Sequence, residues 1–349
     1  MIIQHGQLIL TLSKYLWYLI NYMKKIILFF VAFMQFPMQV WAHVRYIATD
    51  AEQAGFSQVD FTLLLSPLQE PKYIVMIIAT LIIVVLVYWF LNHNKYFHRW
   101  AEHMAHVGES YKSFVPWITR LSLGIILIGG ATNGFLISPV LDTPFAWLNI
   151  VQLVIGFFLM AGFMTGFSAV VALVLFVFAL TKDPYLIGSF DILGLILSLF
   201  ALDSRRPGVD DIIGIPDFLH IKKLREYLPT ILRMGIGIGM AYLAIVEKIL
   251  TPQLAALVAE NTGLVDVIPV SAMMWAFSAG VIELVVGLML VVGFKTRLAA
   301  VAALFILSMS FFYFGEDVTS HVTLFGTLSV VFILGVGKLG FDKPHPMHE

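Results

Sequence analysis

The chain has 349 residues, of which 60% are hydrophobic and 12% are charged, and its formal net charge is −1. A soluble protein of this length needs more polar residues to cover its surface, so the composition predicts an all-α, polytopic membrane protein embedded in a lipid bilayer. The chain has no cysteine, which excludes disulfides, iron–sulfur ligation and thiol redox chemistry, and it has no long basic tract that would indicate nucleic-acid binding.

Residues 23–42 have the three parts of a signal peptide. Two lysines precede an apolar run, a proline interrupts it, and Ala42 occupies the cleavage position. Cleavage there makes His43 the mature N-terminus. The alternative is an uncleaved anchor helix.

Nine further hydrophobic segments predict transmembrane helices, although several are shorter than the roughly 20 residues that cross a bilayer core. None shows the alternation of a barrel strand. The segments lie near residues 72–91, 117–138, 145–162, 166–181, 185–202, 230–250, 272–293, 296–314 and 319–337. Lysine and arginine are concentrated in the loops on the side of the C-terminus, so the positive-inside rule predicts an inner-membrane protein with an exported N-terminus and a cytoplasmic C-terminus.

The predicted organisation places two four-helix units in series after a single helix. In order, the segments are a short exported segment (43–71), a lone transmembrane helix with a cytoplasmic juxtamembrane helix (72–116), the first unit (117–202), a cytoplasmic linker (203–229), the second unit (230–338) and a cytoplasmic tail (339–349).

The two units repeat each other in sequence. Residues from Gln152 onward recur 131 positions later from Glu283 onward, and Arg120 recurs 113 positions later as Arg233. An even number of membrane crossings separates the two starts, so the repeats are parallel. In the block that begins at Gln152, only the first pair changes chemical class, from an amide to an acid.

The second unit resembles the DoxX family of four-helix membrane proteins. The resemblance rests on Arg233-Met-Gly-Ile-Gly, Glu247-Lys248, Glu283-Leu-Val-Val-Gly287 and Gly293-Phe294-Lys295-Thr296-Arg297. The first unit resembles a degenerate copy, with Gly134-Phe135 in place of Glu247-Lys248, Gln152 in place of Glu283 and Gly166 in place of Arg297.

The resemblance also implies a function. The family includes the small membrane subunit of a thiosulfate:quinone oxidoreductase, which implies a quinone-linked redox role beside a redox partner subunit. Arg233, Lys248 and Arg297, the basic residues of these motifs, are the candidate residues for binding a cofactor.

Glu283 is the most informative single residue. It lies about 16 Å into its helix at 1.5 Å per residue, near the bilayer midplane. An ionised carboxylate there costs at least ~2.5–3.5 kcal/mol, so the group should be protonated, paired or facing a polar cavity. The basic residues Arg233, Lys248 and Arg297 are expected at membrane edges, so a hydroxyl or a backbone carbonyl is the expected partner. The alternative to a catalytic role is interhelical hydrogen bonding, which Gln152 could provide equally in the first unit.

Glu247 and Lys248 lie in the last turn of their helix. Adjacent residues point about 100° apart, so one of the two should face the bundle. We expect Glu247 to do so and to form, with Glu283, a catalytic polar path for proton exchange with a quinone headgroup. The alternative is an interfacial salt bridge of little energetic weight.

The rival function is copper handling or transport at the outer face. The amine and imidazole of an N-terminal His43 can chelate Cu(II), and His321 follows Asp317 by one helical turn. The alternative for His321 is helix capping. A third possible function is that of a structural subunit that binds a partner. Separately, Gly235 and Gly239 form a GxxxG pair, which favours close packing of helices.

Overall fold

The computed structural model describes residues 70–202, 208–215, 219–267, 270–314 and 318–342. The predicted signal peptide, nearly all of the exported segment and most of the tail lie outside these residues. The described helices are α1 (Pro71–His93), α2 (Lys95–Ser110), α3 (Val115–Asn133), α4 (Ala146–Ala161), α5 (Thr165–Lys182), α6 (Phe190–Leu199), α7 (Val209–Ile213), α8 (Leu228–Leu243), α9 (Pro252–Asn261), α10 (Leu264–Val267), α11 (Ala272–Val292), α12 (Thr296–Phe314) and α13 (Val318–Leu334).

Each of the nine predicted transmembrane segments contains an apolar helix. Five stretches are long and apolar enough to cross a membrane, namely Lys112–Asn133, Thr165–Lys182, Lys222–Leu250, Ala272–Val292 and Thr296–Phe314. Shorter apolar stretches lie in α4, α6 and α13. The prediction of an all-α membrane protein is therefore confirmed.

The first two helices lie against the second half of the chain. Tyr73 of α1 packs against Phe277 of α11, with ring centroids 5.2 Å apart. Most of the remaining α1 surface is exposed and apolar, as expected for a helix in lipid. Asn94 begins α2 by accepting a hydrogen bond from the N–H of Tyr96 at 2.9 Å. The helix then crosses the end of α13, where Gly108 faces the backbone of Ile333.

The two halves of the chain meet at α8. Helix α6 and the 3₁₀ turn before it, Pro184–Ser189, pack against this helix. A Cβ atom at Gly235 would lie 2.6 Å from the carbonyl oxygen of Phe190, and one at Gly239 would lie 2.6 Å from that of Gly188. Only glycine permits this approach of the two backbones. The predicted role of the GxxxG pair in close packing is confirmed.

Arg233 anchors the ends of two helices in the second half. Its side chain is 2% exposed. The guanidinium donates hydrogen bonds to the carbonyl oxygens of Leu290 at 2.9 Å and Val336 at 3.0 Å. Carbonyl groups at the C-terminus of a helix lack hydrogen-bond donors within that helix, and the Arg233 guanidinium supplies such donors. Gly293 ends α11 with a φ of 72°, and a Cβ there would lie 2.8 Å from the Arg233 Cζ.

Asp342 follows α13 in the chain, and its side chain caps the N-terminus of α12. Its Oδ1 accepts a hydrogen bond from the N–H of Lys295 at 2.8 Å, and its Oδ2 accepts one from the N–H of Thr296 at 2.8 Å. The N–H of Asp342 in turn donates to the carbonyl of Gly293 at 3.0 Å. A residue distant in sequence thus provides the N-cap of α12.

A similar placement of an arginine, a glycine and an aspartate occurs in the first half of the chain. Arg120 is 1% exposed and lies against Gly162, which ends α4 with a φ of 66°. Asp210 accepts hydrogen bonds from the N–H groups of Met164 at 2.9 Å and Thr165 at 3.3 Å, at the start of α5. We call the end of the bundle that holds Arg120 and Arg233 the arginine end.

Candidate functional site

A π-helical turn follows α8 at the end of the bundle opposite the arginine end. We call this end the glutamate end. The α-helix continues beyond Leu243 as a π-helix over Ala244–Leu250. Thr251 closes it by donating a hydrogen bond from its hydroxyl to the carbonyl of Val246 at 2.6 Å, and Pro252 begins α9. π-helical turns are rare and occur frequently at functional sites. This turn carries both Glu247 and Lys248.

Glu247 faces the interior and is 2% exposed. The hydroxyl of Tyr185 donates a hydrogen bond to its Oε1. Tyr185 belongs to the 3₁₀ turn before α6, where the carboxylate of Asp183 accepts a hydrogen bond from its N–H at 2.9 Å. The ring of Tyr242 lies edge-on to that of Tyr185, with centroids 6.0 Å apart. The expectation that Glu247 faces the bundle is confirmed, and its hydrogen-bond partner comes from the first half of the chain.

Lys248 donates a hydrogen bond from Nζ to Oε1 of Glu283 and forms an ion pair with it. The two side chains are 19% and 16% exposed. Of the three alternatives for Glu283, which were a protonated acid, a paired acid or one that faces a polar cavity, the structure shows a paired acid. The expected partner, a hydroxyl or a backbone carbonyl, is wrong, because the partner is the ammonium group of Lys248.

Packing explains why Lys248 reaches Glu283. A Cβ at Gly280 would lie 2.6 Å from the Cβ of Lys248, so α11 passes closely against this turn one helical turn before Glu283. Side chains tilt toward the N-terminus of their helix. Because α8 and α11 are antiparallel, the two side chains lean toward each other. The N-terminal part of α11 extends beyond this level and packs through Ala272 and Ala276 against α9.

Gln152, the sequence counterpart of Glu283, makes a different contact. It is fully buried. Its Oε1 accepts a hydrogen bond from the N–H of Ile137 at 2.7 Å, and its Nε2 donates one to the carbonyl of Phe135 at 3.0 Å. The amide therefore fixes the loop after α3. Phe135 is the counterpart of Lys248, so the same pair of positions meets in both halves.

A protein-family model for DoxX matches residues 228–316. We call this matched part of the chain the DoxX domain. No curated protein and no solved structure matches the chain. The matched residues run from the start of α8 past the end of α12 and include Glu247, Lys248 and Glu283. The match does not extend to residues 117–202, so the interpretation of that segment as a degenerate DoxX copy stays a prediction.

The other basic residues of the DoxX domain lie away from this site. Arg233 caps helix ends at the arginine end, and Arg297 donates from Nε to the carbonyl of Phe332 at 3.0 Å. Lys248 comes fifteen residues after Arg233 in the same continuous helix, about 22 Å along its axis. The structure therefore does not bring Arg233 and Arg297 together with Lys248 in one cofactor site, because the two arginines serve backbone carbonyls.

His321 lies in the first turn of α13, just after the DoxX domain. It is 2% exposed and packs against Phe311 and Phe325, with ring centroids 5.4 and 6.0 Å away. Its expected copper partner, His43, and its expected orienting residue, Asp317, lie outside the described residues. Within the part of the chain that the structure describes, no three histidine, aspartate or glutamate side chains form a metal-binding group.

Two residues outside the DoxX domain did not emerge from the sequence motifs. One is Tyr185, which bonds to Glu247, and the other is Asp191, a buried acid in α6. For Asp191 the available signal was the one that identified Glu283, an acid within an apolar segment. For Tyr185 the sequence gives no comparable signal, because its role depends on α6 packing against α8.

Proposed function

We propose that this DoxX-domain protein is a membrane subunit of a quinone-linked redox system, with the headgroup site at the π-helical turn of α8. The observation that carries the proposal is the pairing of two consecutive residues in this turn. Glu247 is buried against Tyr185, and Lys248 is partly exposed and paired with Glu283. The π-helical turn thus carries a buried carboxyl group and a partly exposed ion pair.

These side chains fit the chemistry of a quinone headgroup. Reduction of a quinone to a quinol consumes two electrons and two protons, and the two protons bind to the two carbonyl oxygens. The Lys248 ammonium can donate a hydrogen bond to such an oxygen in place of Glu283. The Glu247 carboxyl and the Tyr185 hydroxyl can hold and pass a proton, since both are titratable oxygen groups in direct contact. The electrons would come from a partner redox subunit, because this chain lacks cysteine ligands for an iron–sulfur centre.

We also propose that residues 117–202 are a second DoxX-like unit that has lost this chemistry. The support is the recurrence of the arginine-end arrangement, with Arg120, Gly162 and Asp210 matching Arg233, Gly293 and Asp342. In this interpretation the first unit is a scaffold that retains helix packing and contributes Tyr185 to the site of the second.

The test is the quinone content of the protein purified in mild detergent. Wild type should retain lipid-extractable quinone above the level of an unrelated membrane protein from the same membranes. Lys248→Met should lower that content, because it removes the donor to the headgroup. Glu247→Gln should retain quinone but lose quinone-dependent electron transfer, because it removes only the titratable proton.

Two controls make the result specific. Tyr185→Phe should behave like Glu247→Gln, whereas Tyr313→Phe should match wild type, because the Tyr313 hydroxyl donates an exposed hydrogen bond to the carbonyl of Thr262 at 3.2 Å, away from Glu247. Absence of quinone in wild type, or full electron transfer in Glu247→Gln, would refute the proposal. Copper without quinone in the same preparation would instead support the metal-handling alternative.

A further inference from the structure

Asp191 is a second acid buried in the membrane part of the protein, separate from the DoxX domain. It lies in the first turn of α6 and is 2% exposed. Its carboxyl group accepts a hydrogen bond from the side chain of Thr323 in α13 and from the backbone N–H groups of Asp191 and Ile192. The first turn of a helix favours a negative charge. These donors suit an ionised carboxylate.

The carboxylate has an oxygen that the protein leaves open. None of the described residues hydrogen-bonds to Oδ2 of Asp191, although this atom is shielded from solvent. The described residues also include no lysine or arginine in an ion pair with it. A buried carboxylate without a compensating positive charge is costly, so a positive ligand is required.

A second open oxygen lies on the neighbouring helix. Thr327 is fully buried, and its Oγ1 has no hydrogen-bond partner among the described residues. Thr327 follows Thr323 by one turn of α13, so the two hydroxyls share one face of that helix. Hydroxyl and carboxylate oxygens are the ligands that hard cations prefer.

The other charged or titratable side chains on the elements packed against α6 are engaged elsewhere. Arg120 and Arg233 lie at the arginine end. Tyr185 and Tyr242 belong to the cluster around Glu247, and Lys182 lies over the ring of Phe178. His321 of α13 packs between Phe311 and Phe325. None of these groups forms an ion pair with Asp191.

We propose that Asp191, Thr323 and Thr327 form an internal site for one small monovalent cation, H⁺ or Na⁺, where α6 meets α13. The positive charge neutralises the carboxylate, and the open oxygens of Asp191 and Thr327 face it. The site joins the first half of the chain to the last helix, so its occupancy stabilises their contact. This proposal does not depend on the quinone role.

The test is the melting temperature of the full-length protein in detergent, at constant ionic strength, as choline chloride is replaced by NaCl or KCl. A sodium site predicts a melting temperature that rises by the same increment for each tenfold increase in Na⁺ above saturation. A proton site predicts no difference between the salts but a melting temperature that falls as pH rises, because the folded state binds the proton more tightly.

Asp191→Asn should remove either response, since asparagine still accepts the hydrogen bond from Thr323 but needs no positive charge. Glu247→Gln is the matched control, because it neutralises a buried acid at a different site, and it should keep the Na⁺ response. If Asp191→Asn does not fold, Thr327→Val decides, because it removes the second open oxygen at nearly constant shape and should weaken the response. The proposal is overturned if wild type responds to neither Na⁺ nor pH. It is also overturned if the response persists in Asp191→Asn or is unchanged in Thr327→Val.

Discussion

Lys248 and Glu283 form an ion pair between the first two membrane helices of the DoxX domain, α8 and α11. Their sequence counterparts in the first half, Phe135 and Gln152, are also hydrogen-bonded, through the Phe135 carbonyl. The two halves therefore keep the same pair of positions in contact while the chemistry differs. Where the first half uses a neutral amide to fix a loop, the second half places two charges.

The ion pair predicts that Glu283→Gln is more than a conservative change. The variant copies Gln152 but leaves the Lys248 ammonium without its counter-charge in a mostly buried position. Glutamine can still accept the hydrogen bond from Lys248, but it supplies no negative charge to compensate the partly buried ammonium, and loss of one partner of such a pair is destabilising. We expect a lower melting temperature in detergent, together with reduced quinone-linked activity.

The double variant Lys248→Met with Glu283→Gln supplies the control. It removes both charges, so much of the stability lost in Glu283→Gln should return, while activity should stay low. A double-mutant cycle measures the coupling between the two residues. Equal melting temperatures for wild type and Glu283→Gln would show that the ion pair does not stabilise the fold.

The sequence predicted the helices better than it predicted the contacts between them. Hydropathy marked all nine apolar segments, because each helix buries its backbone hydrogen bonds within itself and exposes apolar side chains to lipid. It did not predict the partner of Lys248, because that partner lies on another helix. The π-helical turn and the close approach of α11 at Gly280 bring Lys248 to Glu283, and neither has a signal in the hydropathy.

The proposed orientation predicts which loops are cytoplasmic. A reporter fused after Glu349 or inserted within 203–207 should report from the cytoplasm, and one inserted at 268–269 should report from the exported side, because the lysine-rich and arginine-rich loops stay inside. N-terminal sequencing of the same protein should begin at His43. The opposite reporter pattern would invert the glutamate end and the arginine end, and a start at Met1 or Met23 would contradict the signal peptide.

The crossing of α6 and α8 predicts different effects for two glycines in one interface. Gly239→Ala would place a Cβ 2.6 Å from a backbone carbonyl oxygen, so the helices must separate. Gly194→Ala is the matched control, because its Cβ would meet the nearest atom at 3.5 Å, an ordinary contact. We expect Gly239→Ala to lower the melting temperature and Gly194→Ala to leave it near wild type. A similar loss in both variants would mean that helix separation is not the cause.

The two aspartate caps at the arginine end predict matching losses in the two halves of the chain. Asp342→Ala removes the acceptors of two backbone N–H groups at the start of α12, and Asp210→Ala does the same at the start of α5. Loss of an N-cap costs about 0.5–2 kcal/mol. Both variants should lower the melting temperature in detergent by comparable amounts, and Asp342→Asn should lose less than Asp342→Ala, because its amide oxygen can still accept one of the bonds. Glu102→Ala is the control, an exposed acid within α2 that caps no helix, and should stay near wild type. A loss confined to Asp342→Ala would mean that only the second half depends on its cap, and would weaken the proposal that both halves derive from one DoxX-like unit.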